Sequence, residues 1–162
     1  MNKIQITKKL HFDIGIYLYL DVDIYNPPYI EILKKKQRAY NCLIFQTHYN
    51  FFICVPYRSE ISHKHGFFFK NTVRSTSHKS GLDYTKIVIV KNTNFLDTVD
   101  ALIDKDEFKE TIRNLNFIKK EALNFVEDYI AHNKKTKLLH KREYDSRYKF
   151  SSIQYFHKEL GI

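Results

Sequence analysis

Six side chains within eight positions carry the types that could do chemistry: Arg58, Ser59, Ser62, His63, Lys64 and His65. Arginine grips a phosphate with two donors, lysine supplies a point charge, and histidine moves protons near neutral pH. Two hydroxyls complete a set suited to a charged phosphodiester. The same residues also fit a solvated polar loop, and the rest of the chain must decide between the two.

Such a loop needs rigid elements to hold it. Ile44, Phe51, Phe52, Ile53 and Val55 suit a pleated, buried surface and predict a hairpin of strands over 39–46 and 50–56, with the turn at His48 to Asn50. Pro56 cannot donate to a ladder and is expected to end the second strand. Residues 66–70 read as a third short strand. The polar stretch after it reads as a loop, with Gly81 at a turn of positive φ. Residues 84–91, YTKIVIVK, give the clearest strand pattern. Before the hairpin, the sequence predicts a strand from Ile4 to Thr7, an alternating segment over 12–25, a break at Pro27-Pro28 and a short helix over 29–36.

The C-terminal half changes character. Asp104 with Glu107 resembles a capping box, and Phe108, Ile112, Leu115, Ala122, Phe125, Val126 and Tyr129 share one helical face as far as His132, with an interruption near Asn116. The acidic residues between 104 and 128 read as a solvated face. Lys134 to Arg142 is a basic connector. Ser151 or Ser152 caps a last helix that groups Ile153, Phe156 and Leu160. Strands first and helices later predict an α+β fold in a single domain over residues 1–162.

The 162 residues carry 27 Lys and Arg against 18 Asp and Glu, a formal charge of +9. That balance points to a polyanion, nucleic acid before an anionic membrane, although a basic chain from an A/T-rich genome has the same composition. Aromatics make up 15% of the residues, and unpaired bases stack on such rings. Cys42 and Cys54 fall in expected strands and fit buried free thiols in a reducing cytoplasm. The start of the chain lacks the apolar run of a signal peptide, and no run is long enough to span a bilayer.

Zinc-ligand spacing is absent, with no CxxC or HxxxH pair, and four glycines build no phosphate loop. No metal and no cofactor are expected. What remains is metal-free cleavage of RNA, whose 2′-OH is its own nucleophile. That reaction needs a base for the 2′-proton, cations for the charged phosphorane and an acid for the leaving oxygen.

The segments RAYNCLIF, VPYRS, HKHGFFFK, SGLDYTKIVIVKN and YFHKEL occur here in that order, from roughly residue 35 to the end. In sequence and spacing they resemble the endoribonuclease toxins of type III toxin–antitoxin systems, the ToxN/AbiQ group, and most closely its CptN and TenpN branches. The resemblance implies a compact, strongly twisted antiparallel β core with helices around it, similar to MazF/Kid toxins. It implies cleavage to a 2′,3′-cyclic phosphate and a 5′-hydroxyl. The implied partner is a small tandem-repeat RNA antitoxin, folded as a pseudoknot, with cellular or phage mRNA as substrate and no protein antitoxin or membrane.

The catalytic candidates are Arg38, Arg58, Ser59, His63 and Lys64. Arg58 stands where the family pattern has a hydroxyl, and Lys64 lies later than the family lysine, which leaves general acid and base unassigned. The RNA-binding candidates are Lys34, Lys35, Lys36, Tyr40, Tyr57, His65, Lys70, Arg74, Lys79, Lys86, Lys137, Lys141 and Arg142. The first 30 residues match nothing in the family pattern. A non-catalytic RNA-binding domain and a MazF-like RNase with a protein antitoxin are the alternatives.

Overall fold

A computed structural model describes residues 7–11, 39–91, 96–100 and 103–162, with side chains over 41–91 and 103–162. The expected elements at 12–25 and 29–36 lie outside the described residues. The strands are β1 (Thr7–His11), β2 (Ala39–Gln46), β3 (Phe52–Arg58), β4 (Gly66–Phe68), β5 (Gly81–Asp83), β6 (Val88–Val90) and β7 (Leu96–Asp100). They run in the order β4-β5-β3-β2-β1-β7, with β6 also on β3, and every pairing is antiparallel. Helices α1 (Lys105–Arg113), α2 (Leu115–Asn133), α3 (Lys141–Tyr148) and α4 (His157–Leu160) follow. The fold is α+β. Among the described residues, no helix is long and apolar enough to cross a membrane.

The expected hairpin forms around His48 to Asn50, with Leu43 opposite Val55 and Phe45 opposite Ile53. Strand β3 is central. Ile53, Cys54, Val55 and Pro56 are buried in succession, so both of its faces are covered. The expectation that Pro56 ends this strand is wrong: β3 continues through it to Arg58. The strand changes partners at that point. On one edge β6 pairs as far as Cys54 and β5 takes over at Tyr57, so Val55 and Pro56 face a gap there. A proline in a sheet costs least where ladder pairing is already interrupted. An early strand spans Thr7–His11; residues 4–6 of the one expected over Ile4 to Thr7 lie outside the described residues.

Gly81 is not at a positive-φ turn. It begins β5, and the positive-φ glycine among the described residues is Gly161. Its reason is proximity: a Cβ on Gly81 would lie 2.0 Å from the Phe67 carbonyl oxygen, and one on Gly66 would lie 2.6 Å from that of Leu82. The two glycines let β4 and β5 close on each other. The stretch before Gly81 also holds a 3₁₀ turn, Arg74–Thr76. The pattern at 84–91 divides into a 3₁₀ turn, Tyr84–Lys86, and the short β6.

Helix α2 buries Ala122, Phe125, Val126 and Tyr129 as their spacing predicts, with Ile118 added and Leu115 only half-buried, and the break falls at Asn114 instead of near Asn116. Helix α1 departs from its pattern. Its buried residues are Glu107, Glu110 and Thr111, while Ile112 is exposed and Phe108 half-buried. Hydrogen bonding outweighs apolar periodicity here. Glu110 accepts from the amides of Lys70 and Asn71 at 2.9 and 3.2 Å, and Asp106 from that of Val73 at 2.8 Å. The acidic face is thus a clamp on the 70–74 loop. Asp104 occupies the N-cap position but makes no side-chain cap bond; it and Glu107 pair with Arg74 instead, at 3.1 and 3.0 Å.

The basic connector ends earlier than expected, because residues 141–148 are helical. Ser151 caps a 3₁₀ turn, and Ile153, Phe156 and Leu160 are buried together. Cys42 and Cys54 are free and buried; burial pushes both thiols up, Cys42 with added repulsion from Cys54.

Because the Gly81 approach is backbone against backbone, no side chain can yield to an added methyl. Gly81→Ala is expected to cost about 1–3 kcal/mol or more. A thermal or denaturant melt checks this; a variant as stable as wild type contradicts the close approach.

Candidate functional site

The strand β3 leaves the core at Arg58, opposite Gly81 of β5. Two residues beyond Gly81 stands Asp83, with no exposed surface. It caps the Tyr84–Lys86 turn: its Oδ1 accepts from the Thr85 amide at 2.9 Å and from Thr85 Oγ1 at 2.7 Å. The same oxygen meets His63 Nε2 at 3.0 Å, and Oδ2 accepts from Arg58 Nη1 at 3.1 Å. A buried carboxylate is tolerable only with such partners.

The tautomer of His63 follows from its neighbours. Its Nδ1 accepts from the His65 amide at 3.0 Å, so the proton sits on Nε2 and points at Asp83 and Thr85. The loop over 59–65 is therefore far from a free solvated loop. Ile61 is buried and its amide donates to the Lys79 carbonyl at 2.9 Å. Lys79 Nζ donates to the His63 carbonyl at 2.7 Å, and the Tyr84 amide to the His65 carbonyl at 3.2 Å.

Beside this cluster opens a cavity of about 340 Å³ lined by Arg58, Glu60, Ser62, His63, Asp83, Thr85, Lys86, Ser146, Arg147 and Phe150. Helix α3 supplies the far wall. Tyr148 anchors it, buried, with its hydroxyl donating to the Phe125 carbonyl at 2.7 Å. Arg147 is braced by Asp128 and Glu143, both at 2.8 Å. Burial opposes its charge, but bonds to Asp128, Tyr148 and Glu143 hold the guanidinium above its ordinary value. Lys86 Nζ donates to the Phe150 carbonyl at 3.0 Å. Three cations thus share one cavity, each held by a partner within the protein. Beside the cavity, His65 Nε2 lies 2.9 Å from Ser146 Oγ. Burial first, then the charges of His63, Lys64 and Arg147, hold His65 below the ordinary imidazole range, with Glu143 opposing.

Of the catalytic candidates, Arg58 and His63 line the cavity. Ser59 and Lys64 are exposed and outside its lining, and Arg38 lies outside the described residues. Of the RNA-binding candidates, Lys86 lines it and His65 adjoins it. Lys79 lies near it, 4.3 Å above the Phe68 ring. Lys70 is exposed on the clamped loop. Lys137 is mostly exposed, 3.7 Å from Asp128, while Lys141 and Arg142 are exposed at the start of α3. Away from the cavity, Arg74 is engaged by Asp104 and Glu107, and the Tyr57 hydroxyl by Thr111 Oγ1 at 3.0 Å. Lys34, Lys35, Lys36 and the Tyr40 side chain lie outside the described residues. Among the described residues, no three His, Cys, Asp or Glu are placed to hold a metal ion.

Sequence reasoning missed Glu60, Asp83, Thr85, Ser146, Arg147 and Phe150. Asp followed two residues later by Thr is a signal for a side-chain-capped turn. Glu143 with Arg147, and Tyr144 with Tyr148, carry the four-residue spacing of a helix. Phe150 had no signal.

No family model, curated protein or solved structure matches this chain. Its own residues and geometry therefore carry the functional reading.

Asp83→Ala leaves Arg58, His63 and Thr85 facing a void. Breaking a buried pair costs about 3–5 kcal/mol, which for a chain of this size lowers Tm by roughly 6–20 °C. A melt of Asp83→Ala within about 2 °C of wild type would contradict the central role of this carboxylate.

Proposed function

We propose that this protein is a metal-independent endoribonuclease that acts in the cytoplasm as a growth-arresting toxin, held inactive by a small RNA. The observation that carries this reading is the cavity in which Arg58, Lys86 and Arg147 converge with three hydroxyls and a His–Asp pair. A phosphodiester matches that lining. The cations would take its charge, and Ser62 and Ser146 would donate to its oxygens. The 2′-hydroxyl attacks phosphorus and gives up its proton to Glu60, the bond to the 5′-oxygen breaks, and that oxygen takes a proton from solvent. A 2′,3′-cyclic phosphate and a 5′-hydroxyl result. Glu60, in the lining and 3.0 Å from His78, is the exposed proton acceptor of the site. His63 orients Arg58 through Asp83.

The formal charge of +9 and the exposed Lys141 and Arg142 support an RNA as the guard and mRNA as the substrate, in keeping with the resemblance to the ToxN/AbiQ toxins. The tandem-repeat, pseudoknot form of that guard, and its role in phage defence, rest on the resemblance alone. One observation favours a second reading, a non-catalytic RNA-binding domain: both ring nitrogens of His63 are engaged within the fold.

Cleavage separates the two. Arg58→Ala, which strips Asp83 of its cation and is therefore compared with Arg58→Lys after a melt shows each variant folded, is expected to lose roughly 10²–10³ in rate. Equal cleavage by this variant removes Arg58 from the site, and no cleavage by wild type favours the binding domain.

Cleavage by the wild-type protein should persist in EDTA, and a 2′-deoxy group at the scissile nucleotide should block it. Loss in EDTA with recovery on adding zinc or magnesium, or normal cutting of the deoxy substrate, overturns the mechanism.

A further inference from the structure

Phe150 is out of place for a residue of its kind. It is 78% exposed, yet it borders a cavity lined by three cations and two carboxylates. Its position is held. The backbone carbonyl accepts from Lys86 Nζ at 3.0 Å, and the next residue, Ser151, is buried and caps the following turn. On the other side, Tyr148 is buried and bonded to the Phe125 carbonyl. A residue whose backbone is held between two buried anchors while its ring faces water has lost chain entropy without gaining burial. Lys149 Nζ lies 5.5 Å from the ring centroid, which places a further cation over the same surface.

We propose that Phe150 is a stacking platform for the unpaired base next to the phosphate that Arg58, Lys86 and Arg147 receive. The proposal rests on the reading of the cavity as an RNA phosphate site and adds how a nucleotide is oriented there. Ring and cations are linked through Lys86, so a single strand would place a phosphate in the cavity and its neighbouring base on the ring. A duplex keeps its bases stacked within the helix and cannot offer a face to Phe150. The substrate class is therefore single-stranded RNA, a loop or an open strand. Any base offers a π face, so the platform confers position more than sequence preference.

The chain has no tryptophan, so Phe150→Trp introduces a single indole fluorophore at the rim. Titration uses a short single-stranded oligoribonucleotide, an oligomer of equal length with abasic positions, an RNA duplex and inorganic phosphate. The single strand should quench the indole fluorescence of Phe150→Trp strongly, and the abasic strand, duplex and phosphate weakly. Phe150→Ala should weaken single-strand binding about 5–100-fold, the range expected for one stacked base, and Phe150→Trp should retain it. Abasic RNA should bind wild type and Phe150→Ala alike. If the single strand binds wild type and Phe150→Ala equally and leaves the fluorescence of Phe150→Trp unchanged, the platform is wrong while the phosphate reading stands. If wild type binds no RNA, both fall. Thermal melts show whether each variant is folded. Exposure of the ring makes loss of fold a poor explanation for loss of binding.

Discussion

A carboxylate with no access to water sets the terms of this structure. Asp83 holds partners from three segments: Arg58 at the end of β3, His63 in the crossing loop, and Thr85 in the turn that follows β5. An unpaired carboxylate there would cost several kcal/mol, so those segments must arrive together or not at all. The consequence reaches beyond the three partners. Arg58 can stand near Lys86 and Arg147 because each has its own internal partner, the last with Asp128 and Glu143. Without such pairing, three like charges around one cavity would repel.

The same economy appears on α1. Its carboxylates turn inward and satisfy backbone amides at Lys70, Asn71 and Val73, with Arg74 closing the group. Arg74 is a basic residue beside a polar loop and reads in sequence as a phosphate contact. Its two carboxylates make it a structural residue instead. Place in the fold, and not residue type, separates it from Arg58: the two side chains are equally exposed and each has a carboxylate partner, but Arg58 borders the cavity and Arg74 does not.

Local pattern made the hairpin and α2 legible, because Ile44, Ile53 and Val55, and then Ala122, Phe125 and Tyr129, are buried within their elements. It failed where long-range partners decide. Pro56 sits inside a strand because β5 and β6 divide that edge, a fact of topology. Gly81 serves closeness to Phe67, which no single-chain spacing reveals. Helix α3 was hidden by its charge, and with it Ser146 and Arg147. The loop from Arg58 to His65 was legible as chemistry from its composition. Its organising residue was not, since Asp83 lies twenty positions along the chain from His63 and joins the loop through the pairing of β5 with β3 and β4.

The account's central claim is that this Asp83-built cavity acts on RNA phosphodiesters. Recovering the RNA that co-purifies with the protein, sequencing it and determining its end groups tests that claim most directly. The account predicts a discrete small RNA whose ends are a 2′,3′-cyclic phosphate and a 5′-hydroxyl. Absence of bound RNA, or a random mixture ending in 3′-hydroxyl and 5′-phosphate groups, would contradict it.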